Sequence, residues 1–310
     1  MGAYLIRRLL LAVPILLGVT LLVFLMLWLV PGDRARALIG PFVPDQTLDE
    51  IRIDLGLDRP LPQQYASWLG ALLHGDLGRS HTLHRPVLDE LRDRLGPTLL
   101  LAGTAFLVSS IIGVLLGVGA ALRQNDIFDR ATTFISLIGV SLPSFWLGML
   151  LIGTFSVTLG WFPVGGMGNG IGVWKHLVLP ATVLSAVATA ILVRLTRAYM
   201  IETLRQDYVR TARAKGLSET RVIFAHAFRN AIVAVLPVLG LQAGLVFGGA
   251  VYIETVFQWP GIGRMLVDAI STRDIVLVQG GVLIVAAAYV ALNFTADIFQ
   301  SLLDPRISRA

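Results

Sequence analysis

Long uncharged runs of apolar residues alternate along the chain with shorter segments that hold nearly all of its charge. A helix needs about 20 apolar residues to cross a bilayer, and most runs have about that length. The run over 131–174 is too long for one crossing, and its glycine-rich end predicts an outer loop. The pattern predicts six transmembrane helices, near 9–30, 97–122, 131–159, 177–197, 231–253 and 275–297. Pro143 and Pro237 predict kinks in the third and fifth of these.

The composition agrees with this pattern. Of 310 residues, 55% are hydrophobic and 15% are charged, and the mean hydropathy is +0.75. Soluble domains carry about 25% charged residues, so the sequence predicts an all-α integral membrane protein. The first apolar run exceeds the roughly 7–15 residues of a signal peptide's apolar region and lacks a small-residue cleavage site, which favours a retained helix.

Lysine and arginine are distributed unevenly between the two sides of the predicted membrane. If the N-terminus is cytoplasmic, the inner segments hold fourteen of these residues and the short outer loops hold three. Because short cytoplasmic loops are enriched in lysine and arginine, we expect both termini to face the cytoplasm. Residues 33–94 then form an extracytoplasmic segment between helices one and two. Residues 198–230 form a cytoplasmic segment between helices four and five.

Composition also excludes several kinds of chemistry. The chain has no cysteine, which removes disulfides, thiolate catalysis and cysteine-based metal sites. Lys175 and Lys215 are its only lysines, and neither is followed by the Ser or Thr of a phosphate-binding loop. Any ATP that drives this protein must therefore bind another polypeptide. The net charge of +5 follows from the topology, and no basic tail or aromatic-basic array predicts nucleic-acid binding.

The extracytoplasmic segment contains an amphipathic stretch and two closely spaced histidines. Tyr65 and Trp68 follow helical spacing within 64–73, which predicts a short helix lying on the membrane surface or on the transmembrane bundle. This helix either caps helix ends or contributes to a docking face for an extracytoplasmic partner. His81 and His84 have a spacing that could hold a metal, but no nearby cysteines or paired carboxylates complete a site. Exposed or locally bonded histidines are favoured.

The cytoplasmic segment has the signals of two short helices rich in arginine. Asp207 is placed to N-cap a helix from Tyr208, which Gly216 would end. A second helix is expected to begin after Ser218. A positive loop held at the lipid headgroups would explain the charge alone. A protrusion that fits a groove on a cytoplasmic partner would also explain the two consecutive caps.

The segment 207–217, followed by His226 and 229–231, resembles the coupling loop of binding-protein-dependent ABC importer permeases. It is most similar to the peptide/nickel branch, which includes dipeptide, oligopeptide and glutathione permeases. Further segments that resemble this branch are 55–61, 75–80, 94–99, 160–163, 254–263 and 304–306. One departure is that Arg210, Thr211 and Ala212 stand where the general importer signature has Glu-Ala-Ala before its glycine.

The resemblance implies a non-catalytic permease subunit of the bacterial or archaeal cytoplasmic membrane. It would pair with a second permease, as a heterodimer, and with two cytoplasmic ATPases that hold ATP and Mg. An extracytoplasmic binding protein would deliver di- or oligopeptides, although nickel chelates and other small solutes stay open as substrates. No cofactor or metal is expected on this chain. The residues expected to couple it to the ATPases are Asp207, Tyr208, Arg210, Thr211, Ala212, Arg213, Ala214, Lys215, Gly216 and Leu217.

Two glycine stripes have two interpretations each. Gly113 and Gly117 are four residues apart, as are Gly240, Gly244 and Gly248. Small residues at this spacing let helix backbones approach closely. They either pack helices within one subunit or form a seam that lines the passage or faces the second permease.

Two other functions compete with an ATP-driven importer. A secondary carrier driven by protons or sodium usually needs ionisable groups within its spans, whereas the charges here lie at the span ends. A membrane enzyme would need clustered His, Asp or Glu. His176 and His226 fall on opposite sides of the membrane in the predicted topology. Both alternatives are therefore less favoured.

Overall fold

A computed structural model describes residues 2–29, 33–39, 52–53 and 56–303. Every named element in these ranges is helical, apart from one isolated antiparallel bridge between Arg79 and Pro86. The α-helices are α1 Gly2–Leu29, α2 Arg34–Ile39, α3 Leu61–Leu73, α4 Val87–Leu122, α5 Ile127–Ser141, α6 Ser144–Leu151, α7 Val173–Leu204, α8 Asp207–Ala214, α9 Glu219–Arg221, α10 Arg229–Val256, α11 Ile262–Ser271 and α12 Ile275–Leu303. Two π-helical segments, Ile152–Thr158 and Val222–Phe228, continue α6 and join α9 to α10.

Among the described helices, five are long and apolar enough to cross a membrane. The number is six if the bent pair of α5 and α6, with its π-helical extension, forms one span, and these helices fall at the six predicted positions. The predicted motif at 304–306, residue 55 of another motif and most of 40–55 lie outside the described residues. The described chain therefore confirms the all-helical membrane fold.

The third predicted span, 131–159 with a kink at Pro143, is interrupted at that proline by a break instead of a kink. The helix breaks between α5 and α6, and the two halves are bent by 107°. Proline has no N–H to donate, and its ring excludes the preceding residue from the helical region. Leu142 accordingly has extended backbone angles, with φ −82° and ψ 130°, and Pro143 begins the next helix as its N-cap. By contrast, α10 continues through Pro237.

Each of the other five predicted spans lies in a helix that extends beyond the predicted bounds. The second span begins at Val87 instead of residue 97, the fourth continues to Leu204, and the fifth belongs to a helical stretch over Glu219–Val256. The turns added before residue 97 hold most of the charge of α4, so a search for uncharged apolar runs leaves them out. Asp89 and Glu90 suit the first turn of α4, because an acid is favourable near the positive end of a helix dipole.

The chain divides into two compact units, and each is described by itself. One unit comprises Met1–Tyr4, Leu99–Trp259 and Leu292–Ala310, and the other comprises Leu5–Thr98 and Pro260–Ala291. The second unit has a buried apolar cluster in which Val87 and Leu91 pack with Ile262, Met265 and Leu277.

The predicted amphipathic helix of the extracytoplasmic segment lies in that second unit as α3. The rings of Tyr65 and Trp68 pack on Phe24 of α1, with centroids 5.4 and 5.7 Å away. The Tyr65 hydroxyl is also within hydrogen-bonding distance, 2.8 Å, of Thr20. The apolar face of α3 is thus covered by the chain's own first helix.

Gly113 and Gly117 let α4 approach α7 in the first unit. A Cβ added at Gly113 would lie 2.6 Å from Leu192 Cβ, and one at Gly117 would lie 2.6 Å from Thr196 Cβ. Real Cβ atoms do not approach so closely, so both positions require glycine. This stripe packs helices within the subunit. Gly248 of the other stripe has no atom within 4 Å of an added Cβ.

Candidate coupling site

The short helix α8 is the predicted coupling helix. Gln206 occupies its N-cap position with extended backbone angles and makes no side-chain capping bond. Asp207 is the first helical residue, so the prediction that Asp207 is the N-cap is wrong by one position. Its carboxylate lies in the first turn, where the helix dipole favours an acid, and 3.5 Å from Arg210.

Gly216 ends α8, as predicted. Its φ is +78°, in the left-handed region, and its N–H donates to Arg213 O at 2.9 Å. The N–H of Leu217 reaches back to Ala212 O at 3.4 Å, which completes a Schellman motif. An added Cβ would meet nothing within 4 Å, so backbone conformation alone calls for glycine.

An apolar cluster fixes α8 to the helix that follows it. Val209 and Ala212 are buried against Val222, and Leu217 packs on the same three residues. Of the predicted coupling residues, Ala212 and Leu217 therefore face the chain's own interior. Val209 and Val222, which the sequence analysis did not select, complete the cluster.

Two polar contacts reinforce this attachment. Arg213 donates from Nε and Nη2 to the two carboxylate oxygens of Glu219, at 3.1 and 2.7 Å. The Glu219 carboxylate raises the pKa of the Arg213 guanidinium, so the cation is retained at every ordinary pH. Asn230 of α10 donates from Nδ2 to the Tyr208 hydroxyl at 3.0 Å.

The predicted second helix is not a separate element. Ser218 has the backbone angles of an N-cap but makes no side-chain capping bond, and the helix that follows continues through α9 and the π-helical segment into α10. The cytoplasmic segment therefore holds one short helix fixed to the first turns of a long one. Asn230, in the first turn of α10, is directly hydrogen-bonded to α8.

The other side of α8 is open to solvent. The predicted residues that are exposed are Asp207, Tyr208, Arg210, Thr211, Arg213, Ala214, Lys215 and Gly216. Phe224, in the neighbouring π-helical segment, is 56% exposed, with its ring edge-on to Phe228 at 6.3 Å. Phe224 is not among the predicted coupling residues. Together these residues form a basic surface with two exposed aromatic rings, Tyr208 and Phe224.

The two histidines considered as metal ligands, His81 and His84, have different surroundings. His81 Nδ1 lies 3.6 Å from the carboxylate of Asp274, and His84 is exposed with a φ of +54°. Within the described ranges, no group of three or more His, Asp or Glu residues has an arrangement that could hold a metal ion.

Family models match nearly the whole sequence. Residues 113–309 match the binding-protein-dependent transport system inner membrane component, and residues 1–102 match the N-terminal model of the same kind of membrane component. The chain belongs to this family. It is a multi-pass protein of the cytoplasmic membrane and a transport component, and the larger model includes α8 and the whole surface just described.

Relatives match over their full length. A di/tripeptide transport system permease protein of Pseudomonas aeruginosa is 44% identical, with 99% of each chain covered. A glutathione transport system permease protein of Escherichia coli is 41% identical, with 98% of each chain covered.

Solved structures agree on the fold. This family member matches the MetNI methionine ABC transporter in an inward-facing conformation with a TM-score of 0.54 and 16% identity, over 69% of this chain and 96% of that one. An amino acid ABC transporter matches with a TM-score of 0.51 and 19% identity, over 70% of this chain and 94% of that one.

Proposed function

We propose that this chain is the permease subunit of an ATP-driven importer of di- and oligopeptides. The observation that carries the proposal is full-length similarity, at 44% identity, to a di/tripeptide permease, in a chain that belongs to the binding-protein-dependent family. Similarity of nearly the same extent to a glutathione permease supports short peptides as the substrate class. An extracytoplasmic binding protein delivers the peptide, and the chain performs no covalent chemistry.

The coupling role falls to the exposed surface of α8 and Phe224. A cytoplasmic ATPase binds Tyr208, Arg210 and Lys215, while Ala212 and Leu217 keep the helix in place from behind. Because Val209, Arg213 and Tyr208 tie α8 to Val222, Glu219 and Asn230, displacement of α8 also moves the first turns of α10. Closure of the ATPases would in this way switch the passage between its inward-open and outward-open states.

The proposed importer also assigns the nucleotide and the partner subunits. ATP and Mg bind the ATPases, since neither lysine of this chain lies in a phosphate-binding loop. A second permease, a different chain in a heterodimer, completes the passage, and two ATPases serve the pair. Gly248, where an added Cβ has open space, is available on α10 for a helix of the second permease.

The test is isolation of the tagged chain from gently solubilised membranes, followed by mass spectrometry and transport. We expect a second six-helix permease and ATPases with phosphate-binding loops to copurify. Vesicles that contain this complex, with the binding protein outside and ATP inside, should accumulate a labelled dipeptide. A chain that purifies alone and moves solute without ATP would overturn the proposal.

A further inference from the structure

An ion pair with a buried carboxylate joins α5 to α7, at the end of each helix that lies towards the coupling segment. Arg197 of α7 donates from Nε and Nη2 to the two carboxylate oxygens of Asp129, at 2.5 and 2.7 Å. The Asp129 side chain is only 4% exposed. One of its oxygens also accepts the backbone N–H of Asn125 at 2.9 Å, so the carboxylate has three donors.

The position of Arg197 connects this pair to the coupling site. The helix α7 is continuous from Val173 to Leu204, and α8 begins three residues later at Asp207. A displacement of α8 therefore reaches Arg197 through the turn at 205–206 and the last two turns of α7. On the other side of the pair, Asp129 lies in the first turn of α5, the helix that leads to the break at Pro143.

Packing alone would hold α5 and α7 together without fixing their relative position along the helix axes. Near the other end of α5, a Cβ added at Gly139 would touch Ala190 at 3.5 Å, so the helices are in close contact there. Apolar contacts between small side chains are non-directional. A planar guanidinium on a carboxylate has a fixed geometry, with two parallel hydrogen bonds, and it sets the axial register of the two helices.

A contribution to the stability of the folded protein does not by itself explain why this ion pair is present. The Arg197 side chain is 28% exposed, and desolvation of the buried Asp129 carboxylate offsets much of its attraction to the cation. A fixed register, by contrast, is needed if a movement that begins at one helix must reach another without slip.

We propose that Asp129 and Arg197 transmit the movement of the coupling helix to α5, as a second connection beside the one from α8 to α10. The inference rests on the proposed coupling role of α8. Both residues are positioning residues, since they touch neither substrate nor nucleotide. The ATPase movement thus reaches the third span through Arg197 and Asp129, and the fifth span through Val209, Arg213 and Tyr208.

The test uses the complete complex in vesicles and measures the ATP hydrolysed per dipeptide taken up. The variants are Arg197→Gln, Arg197→Lys, Asp129→Asn and the double variant Asp129→Asn/Arg197→Gln. Asparagine keeps an oxygen that can accept the Asn125 N–H, so Asp129→Asn removes the charge while retaining that bond. Arg130→Gln is the matched control, because it removes an exposed cation one residue from Asp129.

We expect Arg197→Gln to raise the ATP consumed per peptide at least about fivefold, the lower bound of typical coupling between sites, while ATP hydrolysis itself continues. Arg197→Lys should fall between the wild type and Arg197→Gln, because lysine keeps the charge without the two parallel bonds. The double variant should be no worse than Arg197→Gln, because both changes break the same contact. Arg130→Gln should match the wild type.

Two results would overturn the inference. In one, Arg197→Gln hydrolyses as much ATP per dipeptide taken up as the wild type does, so that any loss of uptake is matched by the same loss of hydrolysis. That result is expected of a purely structural contact. In the other, the effects of Asp129→Asn and Arg197→Gln simply add. Failure of the proposed function is distinguishable, because the wild-type complex would then show no ATP-dependent peptide uptake.

Discussion

The hydroxyl of Ser80 donates to the carboxylate of Asp274, which lies 194 residues further along the chain, with the two oxygens 2.5 Å apart. Asp274 is fully buried. Its carboxylate also accepts the backbone N–H groups of Thr82 at 3.2 Å and of Leu277 at 3.1 Å. One acid therefore caps the start of α12 and fixes the loop before α4 to it.

Loss of this carboxylate should destabilise the protein more than loss of the hydroxyl. Asp274→Ala leaves the Ser80 hydroxyl and the N–H groups of Thr82 and Leu277 without this acceptor, at about 1–3 kcal/mol for each buried group. Ser80→Ala removes one donor to the carboxylate and leaves only the Leu83 N–H without its acceptor. The apparent melting temperature of the detergent-solubilised complex should fall in the order wild type, Ser80→Ala, Asp274→Ala. Equal values for the two variants would contradict the assignment of Asp274 as the centre of the network.

Gly216→Val should leave the protein inserted but uncouple ATP hydrolysis from transport. A β-branched residue is disfavoured at a φ of +78°, and we expect a cost of about 1–3 kcal/mol for holding it there. The matched control is Gly216→Asn, because asparagine tolerates the left-handed region. The measurement is dipeptide uptake and ATP hydrolysis in the same vesicles. Normally coupled transport in Gly216→Val would remove this residue from the site.

Gly117→Ala should destabilise the packing of α4 on α7. The new methyl would lie 2.6 Å from Thr196 Cβ and 2.8 Å from Val193 O, and overpacking of this kind costs about 1–3 kcal/mol. Gly103→Ala on the same helix is the control, since an added Cβ there meets nothing within 4 Å. Thermal aggregation followed by size-exclusion chromatography compares the two. The packing assignment fails if both variants behave alike.

Phe224→Ala should release the ATPases while leaving the permease folded. The side chain is 56% exposed, so its loss removes little internal packing. Aromatic anchors at an interface often contribute more than about 1.4 kcal/mol, so we expect at least a tenfold weaker association. Retention of the ATPases during purification measures the effect. Tyr252→Ala, at a 70% exposed tyrosine near the other end of α10, is the control and should retain them.

The sequence predicts the number and order of the spans because the bilayer imposes a length and a polarity on each one. It predicts a kink at Pro143 where the helix in fact ends, because a proline in an apolar run can either kink a helix or end it, and the outcome depends on tertiary packing. It also misplaces the start of α4 by ten residues, since charged turns beyond the lipid carry no hydropathy signal.

In the coupling site, likewise, some features are determined by the local sequence and others by tertiary packing. Gly216 is identifiable from sequence because its backbone conformation is a local property of the helix end. The roles of Ala212 and Phe224 are not, because which of the two is buried depends on how α8 rests on Val222. The residue type alone therefore does not show that Ala212 is buried and that Phe224 is exposed.

The break between α5 and α6 has a consequence for where water can reach. A helix that ends leaves up to four carbonyl groups without donors from its own backbone, and here these belong to residues 139–142. Hydrocarbon offers no hydrogen-bond donor to them. That turn must therefore bond to water or to the polar groups of a neighbouring helix or another chain, which makes it a polar level within the third predicted span.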